Sequence, residues 1–321
     1  KPTAPVNQPA EPENRPTFSN FAKSCIESKK AEWRNAKHGA QWYATIKDYA
    51  DPVIGEKHLD EIDTDDILKI LNPIWHTKTV TASRLRGRIE WVLASATTRK
   101  LRTGLNPATW RGHLETILPK PNKIKEEEHH KALPYQDIPE FIGKLKEMDG
   151  VAALALEFVI LNANRTGEVI GGLRSEVNTN GLWVIPKDRM KAHREHRVPL
   201  GKRSLELLQI AKSLDPNSDY LFSCKGRSLS SMAMSMLLRR MGYNITVHGF
   251  RSCFRDWVAE ETIHSPEVAE KALAHAIANK VESAYRRGDL IENRKRLMGD
   301  WEDYCQKGSW GNLISLERKA A

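Results

Sequence analysis

Residues 248–287 read HGFRSCFRDWVAEETIHSPEVAEKALAHAIANKVESAYRR, and this stretch decides the fold. Its apolar spacing predicts three helices, over 249–262, 266–275 and 279–287. His248 and Arg251 are three residues apart, so they share one helical face. His275 ends the second predicted helix, and Tyr285 lies ten residues further along, on the third. Two histidines, an arginine and a tyrosine therefore fall on successive short helices.

Further charged residues of the same character lie upstream. Arg165 follows the apolar segment VAALALEFVILN and opens RTGEV, with Glu168 three residues later. Lys191 lies in IPKDRMKAHREH, near the turn of a predicted hairpin with strands at 181–185 and 196–200. Each residue alone has an ordinary explanation, such as a surface charge, a solvated turn lysine or a half-buried tyrosine. Only their combination suggests a site.

The second half of the chain is predicted to be mostly helical. Besides the three helices already named, the pattern predicts helices at 137–148, 151–163, 203–213 and 229–241. The hairpin around Lys191 is the one sheet that we predict there. The fold class is therefore mainly α with a small β-sheet.

The first half is predicted to form a separate helical domain over 17–118. A helix should start at Thr17, since apolar residues follow it at helical spacing, namely Phe18, Phe21, Ala22, Cys25 and Ile26. Asp63 and Thr64 are predicted to cap a second helix. A third should run from 79 to 99, with a buried side formed by Val80, Leu85, Ile89, Val92, Leu93 and Ala96.

Two polar segments flank this helical domain. Residues 1–16 are rich in proline, asparagine and glutamate, which predicts a disordered tail or linker. Because the chain starts with lysine, we expect an upstream domain before it. Residues 119–133 are predicted to link the helical domain to a second domain over 134–321. We interpret His129 and His130, beside three glutamates, as solvated linker residues rather than metal ligands.

Composition narrows the partners of the chain. Its 321 residues carry a net charge of +9 and a pI near 9.3, which favours a polyanionic partner. No apolar run approaches the roughly 20 residues that a membrane helix needs, and no signal-peptide pattern is present. We therefore expect a cytoplasmic protein. The four cysteines form no C-x-x-C pair, which predicts reduced thiols rather than disulfides or a zinc site.

Common enzyme motifs are missing from the sequence. It contains no phosphate-binding loop, no G-x-G-x-x-G after a strand, no H-E-x-x-H and no G-x-S-x-G. The segment HREH at 193–196 has the wrong spacing for a zinc helix and falls within the predicted hairpin. The chemistry must therefore come from the basic residues, histidines and tyrosine described above.

Their local sequences resemble the catalytic domain of tyrosine recombinases, most closely the integrases of phage satellites and genomic islands. The matching segments are NANRTGEVIGGLRSEV, WVIPKDRMK with HRVPL, YLF, HGFRSCFRDWVAE, EKALAH, and VESAYRR with KRLMGDW. They span nearly all of 134–304 and fill six catalytic positions in family order. LNANRT departs from the pattern, because many relatives have a glycine before the arginine, and LAH stands where many read LGH. The domain over 17–118 more weakly resembles the core-binding domain of the family.

The resemblance implies that Tyr285 attacks a DNA phosphodiester and forms a 3′-phosphotyrosine. Arg165 and Arg251 would bind the non-bridging oxygens, because guanidinium forks stabilise the charge of the transition state. His248 and His275 would donate hydrogen bonds to the same phosphate. His248 would also help to deprotonate the nucleophile.

The remaining catalytic roles fall to two residues. Lys191 would be the general acid that protonates the leaving 5′-oxygen. Glu168 would hold the arginine and histidine side chains in place. The reaction would need neither metal nor ATP, and no cofactor is expected.

The resemblance also implies the partners. We expect double-stranded DNA attachment sites, a homo-tetramer on DNA, and accessory proteins that set directionality or bend DNA. Predicted phosphate contacts are Arg84, Arg86, Arg88, Arg99, Lys100, Arg102, Arg239 and Arg240. The tail over 306–321 carries an apolar run, which either docks on a neighbouring protomer or packs on its own domain.

Two other functions stay open at this point. A protein of the same fold that binds DNA without cleaving it would also be basic, although all six catalytic positions are filled. A type IB topoisomerase would share the nucleophile chemistry but need no second duplex. Tyr304 is a rival nucleophile, but acidic residues beside it disfavour its phenolate.

Overall fold

The computed structural model describes residues 15–33, 36–124, 131–275 and 288–309. The chain divides into two compact units, residues 1–128 and 129–321. Tyr285, the predicted helix at 279–287, residues 1–14, His129, His130 and the apolar run of the tail lie outside the described residues. Within the described ranges, no helix is long and apolar enough to cross a membrane.

The N-terminal unit is built from helices around one apolar core. They are α1 (Phe18–Lys29), α2 (Ala36–Thr45), α3 (Asp51–Ile54), α4 (Thr64–Trp75), α5 (Thr79–Thr98) and α6 (Pro121–Ile124). A π-helical turn, Ile46–Ala50, joins α2 to α3. Asp63 caps α4 as predicted, since its side chain accepts from the backbone N–H of Asp66 at 2.9 Å. Thr64 is the first residue of that helix rather than a second cap.

The long helix α5 has the predicted extent but one misplaced core residue. Leu85, Ile89 and Val92 are fully buried, whereas Val80 is 49% exposed, so its predicted burial is wrong. Val80 lies five residues before Leu85, which places it about 140° around the helix from the apolar stripe. Thr79 and Ala82 occupy the buried positions of the first turns instead.

The C-terminal unit surrounds a buried helix. Its helices are α7 (Ile138–Lys146), α8 (Val151–Leu161), α9 (Thr166–Ile170), α10 (Lys202–Leu214), α11 (Ala233–Arg240), α12 (Gly249–Glu261), α13 (Pro266–Ala272) and α14 (Ile291–Lys307). Helices α7, α10, α11 and α14 pack against α8, whose residues are apolar on nearly every face. Of these helices, α9 and α14 were not predicted, and α11 begins four residues later than the sequence pattern suggested.

The predicted hairpin is present. Strand β1 (Leu182–Ile185) pairs antiparallel with β2 (His196–Pro199), with Ile185 opposite His196. A second hairpin joins β3 (Ser223–Cys224) to β4 (Arg227–Ser228) through Lys225 and Gly226, both with positive φ. Strands of two residues are too short to produce a readable alternation, which explains why the pattern did not reveal them.

Candidate active site

Arg165 and Glu168 lie at the start of α9, directly after the buried α8. Arg165 has an extended backbone and caps α9, and Glu168 is the third residue of that helix. The Glu168 carboxylate accepts from the backbone N–H of Arg165 at 2.9 Å and from its Nη1 at 2.8 Å. One carboxylate therefore fixes both the backbone and the guanidinium of Arg165.

Glu168 is buried, with 4% of its surface exposed. Burial alone would raise its pKa, but hydrogen bonds from Arg165 and the charges of Arg165 and Arg251 lower the pKa below its usual value. Glu168 is therefore an ionised group that is bonded to Arg165 and attracted by the charge of Arg251, and its role in holding the catalytic side chains stays a prediction.

Arg251 lies in the first turn of α12 and is 4% exposed. It donates from Nη1 to the carbonyl of Ala163, and from Nη2 to the carbonyl of Leu273 at 2.6 Å. Its Nη2 also lies 3.1 Å from Nε2 of His275. Burial, followed by the like charge of Arg165, lowers the pKa of Arg251 to about 10, which leaves it charged at neutral pH. One side chain thus joins the segment before Arg165 to the segment that ends in His275.

The backbone carbonyls around these arginines come from two unusual turns. Ala163 has φ 48° and Ala274 has φ 49°, which is the left-handed region that glycine adopts more readily. Ala274 accepts from Nη2 of Arg165 at 3.5 Å. The glycine that many relatives have in LGH is replaced here by Ala274, so this departure falls on a position where glycine would relieve strain.

His275 is oriented by a carboxylate that the sequence analysis missed. Its Nδ1 lies 2.6 Å from Oε2 of Glu270, and Oε1 of Glu270 accepts from Nε of Arg255 at 2.6 Å. Burial would raise the pKa of Glu270, but the hydrogen bonds from Arg255 and His275 outweigh it and lower that pKa. A carboxylate partner places the proton of His275 on Nδ1. The other ring nitrogen, Nε2, is then the acceptor that faces Nη2 of Arg251. Glu270 and His275 are five residues apart across the end of α13, a spacing with no helical signature.

His196 is a second site residue that sequence reasoning did not identify. It lies on β2, is 6% exposed, and is surrounded by charges from Arg294, Glu168 and Arg251. Burial, followed by the charge of Arg294, lowers the pKa of His196 to about 4. His196 is therefore neutral at physiological pH and lies within electrostatic range of Glu168 and Arg251.

Lys191 and His248 are exposed. Lys191 begins the exposed segment 191–195 of the hairpin, and His248 immediately precedes α12, one turn before Arg251. The structure thus brings Arg165, Glu168, Arg251 and His275 together, whereas Lys191 and His248 are exposed to solvent.

Two family profiles match this chain. The profile described as Phage integrase family matches residues 131–290, and the one described as Phage integrase central domain matches residues 18–113. The chain belongs to the phage integrase family. It is a tyrosine recombinase of the phage and prophage type, as the motifs predicted.

Curated and solved relatives of this integrase agree. The prophage integrase IntZ of Escherichia coli (strain K12) is 28% identical over 306 residues, which cover 94% of this chain and 74% of the relative. The integrase of Enterobacteria phage P4 is 26% identical over 313 residues, or 90% of this chain and 69% of the relative. A lambda integrase tetramer solved on a Holliday junction is 16% identical and has a TM-score of 0.66, covering 86% of this chain and 79% of that chain. That structure shares the fold, and the predicted fold class is confirmed.

The rival nucleophile of this integrase is part of the core. Tyr304 on α14 is 8% exposed, and its hydroxyl donates to the carbonyl of Tyr135 at 3.4 Å. Burial, followed by the charge of Glu261, raises the pKa of Tyr304. A buried phenol with a raised pKa is a poor nucleophile, which supports Tyr285 instead.

The basic residues of the integrase that were predicted to contact DNA differ in exposure. Exposed residues are Arg84, Arg99, Lys100, Arg239 and Arg240. Arg86 bonds to Glu90 and to the carbonyl of Ala108 at 2.8 Å. Arg88 and Arg102 are buried, and their guanidiniums donate to carbonyls of their own unit, those of Gln41 and Leu59 among them. We retain only the exposed residues as candidates for phosphate contacts.

Proposed function

We propose that this integrase is a site-specific DNA recombinase that cleaves and rejoins DNA through a 3′-phosphotyrosine on Tyr285. It would integrate or excise a mobile element. The observation that carries the proposal is the buried Arg251, which is held between Ala163, Leu273 and His275 beside the Arg165–Glu168 pair. Two guanidiniums fixed at one point form a receptor for a phosphodiester.

The two arginines would act on the charge of the transition state. Attack on phosphorus increases the negative charge on the non-bridging oxygens, and preorganised donors stabilise that charge without reorganising during the reaction. Arg165 keeps 24% of its side chain exposed, so it can face a DNA phosphate while Glu168 holds its other side. Arg251 stays charged at neutral pH, and the proposed chemistry would require no metal ion.

The histidines would complete the phosphate site. His275 donates from Nε2 only when it carries a second proton, because Glu270 accepts the proton on Nδ1. In that form Nε2 would donate to a phosphate oxygen. His248 is exposed at the start of α12, the helix that contains Arg251. There it would accept the phenolic proton of Tyr285.

In the proposed cleavage step, one ester bond to phosphorus replaces another. The phenolic oxygen of Tyr285 forms a bond to phosphorus while the bond from phosphorus to the 5′-oxygen breaks. The phenolic proton passes to His248, and Lys191 gives a proton to the leaving 5′-oxygen. The products are a 3′-phosphotyrosine and a free 5′-hydroxyl. Since the phosphotyrosine keeps the bond energy, another 5′-hydroxyl can reverse the step and rejoin the strand without ATP.

The substrate would be double-stranded DNA at attachment sites, within the bacterial nucleoid. Exposed basic residues on both units would bind phosphates, those of the N-terminal unit being Arg84, Arg99 and Lys100. Recombination would run in a homo-tetramer, which the fold shared with the lambda integrase tetramer supports. Accessory proteins would set its direction or bend the DNA.

Covalent trapping tests this function directly. Nicked suicide duplexes built from DNA that flanks the gene would be incubated with the chain and with its Tyr285→Phe variant, then run on a denaturing gel. An adduct that disappears in the variant identifies both the nucleophile and the class. An adduct that survives places the nucleophile elsewhere, and tight binding without any adduct favours a binding protein of the same fold. Relaxation of a plasmid without an attachment site would instead indicate a topoisomerase.

A further inference from the structure

Arg189 connects the Lys191 hairpin to the helix that carries Glu168. It ends the short turn Lys187–Arg189, two residues before Lys191. Its Nη1 donates to the carboxylate of Glu176, and its Nη2 donates to the backbone carbonyl of Glu168. The guanidinium of Arg189 thus bonds both to Glu176 and to the backbone of Glu168, whose carboxylate binds Arg165.

The carbonyl that Arg189 binds lacks its helical partner. Helix α9 ends at Ile170, and the N–H of Gly172 donates to the carbonyl of Val169. The carbonyl of Glu168 is therefore one of the acceptors that a helix leaves unpaired at its C-terminus. Arg189 caps α9 from outside the helix, on the same residue whose carboxylate holds Arg165.

The other partner of Arg189 is itself held in place. Glu176 has 9% of its side chain exposed and accepts from Nε1 of Trp183 on β1 at 2.9 Å. It also accepts from the backbone N–H of Leu173 at 3.2 Å. Three donors converge on Glu176, two from the hairpin (Trp183 and Arg189) and one from the backbone of Leu173, so Glu176 fixes the hairpin to the segment after α9.

The fixed part of the hairpin ends one residue before Lys191. Met190 is 2% exposed, whereas residues 191–195 are all exposed. Two consecutive anchors, the Arg189 guanidinium and the Met190 side chain, therefore precede a segment that reaches into solvent.

We propose that Arg189 is a positioning residue for Lys191. By tying the base of the hairpin to the Glu168 carbonyl, it sets the distance between the Lys191 ammonium and the phosphate held by Arg165. An arginine is required because its planar fork reaches Glu176 and the carbonyl together, whereas a lysine reaches one acceptor. The inference rests on the proposed role of Lys191 as general acid.

A change of leaving group isolates this role. Two suicide duplexes of the same flanking sequence would be compared, one natural and one with sulfur in place of the bridging 5′-oxygen. A thiolate leaves without being protonated, so the sulfur duplex does not need a general acid. Defects in delivering the acid disappear on that duplex, whereas defects in folding or phosphate binding persist.

The variants are Arg189→Lys and Arg189→Ala, with Glu176→Gln as a milder change. On the natural duplex we expect single-turnover cleavage to fall about 10- to 100-fold for the Arg189 variants. On the sulfur duplex their rates should return to within about threefold of the unsubstituted chain. Arg194→Ala removes a charge from the same exposed segment but leaves both Arg189 bonds, so it should change the two rates equally.

Each outcome can be interpreted. If the Arg189 variants are equally impaired on both duplexes, Arg189 does not position the acid and the inference is overturned. If Lys191→Ala is not rescued by sulfur, then Lys191 is not the acid, and the proposed function fails at that residue first. Should Arg189→Ala unfold, Arg189→Lys and Glu176→Gln supply the same comparison, with thermal melting as the check.

Discussion

Ala163 and Ala274 have nearly the same left-handed backbone, with φ 48° and 49°, and each accepts a hydrogen bond from one of the two active-site arginines. Arg251 binds the turn beside Arg165, and Arg165 binds the turn beside His275. Left-handed alanine costs roughly 1–2 kcal/mol relative to the right-handed conformation. The proposed phosphate receptor is therefore built on two strained turns that the rest of the unit holds in place.

Replacing either alanine by glycine should stabilise the protein. Glycine removes the left-handed strain, but it also increases the conformational entropy of the unfolded chain, which opposes folding. We therefore expect the free energy of unfolding to rise by about 0.5–1 kcal/mol for Ala163→Gly or Ala274→Gly. Cleavage should be retained, because the carbonyl acceptors stay in place. Chemical denaturation with a suicide-duplex assay measures both quantities.

Ala259 provides the matched control for these glycines. It is exposed within α12, where the backbone is right-handed, so Ala259→Gly should destabilise by about 1 kcal/mol. A loss of stability at Ala163 or Ala274 as large as at Ala259 would contradict the strain argument.

Arg251→Lys should abolish most cleavage while the protein still binds DNA. A lysine keeps the charge but cannot donate to both Ala163 and Leu273 and still face the phosphate. We expect single-turnover cleavage to fall at least about 100-fold, or about 2.7 kcal/mol in the barrier. Gel-shift affinity measures binding separately, and cleavage within about threefold of the original would rule out this role for the guanidinium.

Glu270→Gln should impair cleavage through His275. The amide can still bond to Nδ1, but it no longer stabilises the imidazolium that donates to phosphate, so a loss of about 10- to 100-fold is expected. A double-mutant cycle with His275→Ala measures the coupling. Arg255→Ala removes the other partner of Glu270 and leaves the histidine bond, so its effect should be smaller. Additive losses in the cycle would mean that Glu270 acts independently of His275.

His196 should make folding stability depend on pH in the acid range. Its pKa falls from the ordinary value of 6.5 to about 4 on folding, so the unfolded chain takes up its proton first as pH decreases. Stability is unaffected above about pH 6.5 and is lost as pH falls toward 4, by on the order of 3 kcal/mol. His196→Gln, which is neutral throughout, should flatten urea-denaturation stability over this window. An unchanged pH profile in the variant would show that another group titrates there.

Substitution of Arg84 should affect DNA binding, whereas substitution of Arg88 should affect folding stability. Exposed Arg84 is a candidate phosphate contact, so Arg84→Ala should reduce the slope of log affinity against log salt by about 0.9. Arg88 is buried and bonded to the carbonyl of Gln41, so Arg88→Ala should lower the free energy of unfolding by about 1–3 kcal/mol. Filter binding at several salt concentrations measures the first effect, and denaturation measures the second. An unchanged salt slope for Arg84→Ala would show that Arg84 does not contact DNA phosphates.

Much of this protein could be predicted from local sequence. The apolar period of α5, the Asp63 cap of α4 and the alternation of the hairpin are properties of neighbouring residues, so they appear in any window that contains them. The site motifs were readable for the same reason, because H-x-x-R and R-T-G-E place their side chains within one helical turn. Membership of the phage integrase family follows from such motifs in order.

Tertiary structure alone decided the environment of those residues. Sequence could not show that Arg88 and Arg102 are buried while Arg84 is exposed, because burial depends on which elements pack against a helix face. Nor could it show that Glu270 orients His275 or that Arg189 reaches the carbonyl of Glu168, since neither pair has a helical or strand spacing. The order of the predicted catalytic residues was thus determined by the sequence. Their charges and partners were decided by folding, because desolvation and hydrogen bonding act between segments that only the fold brings together.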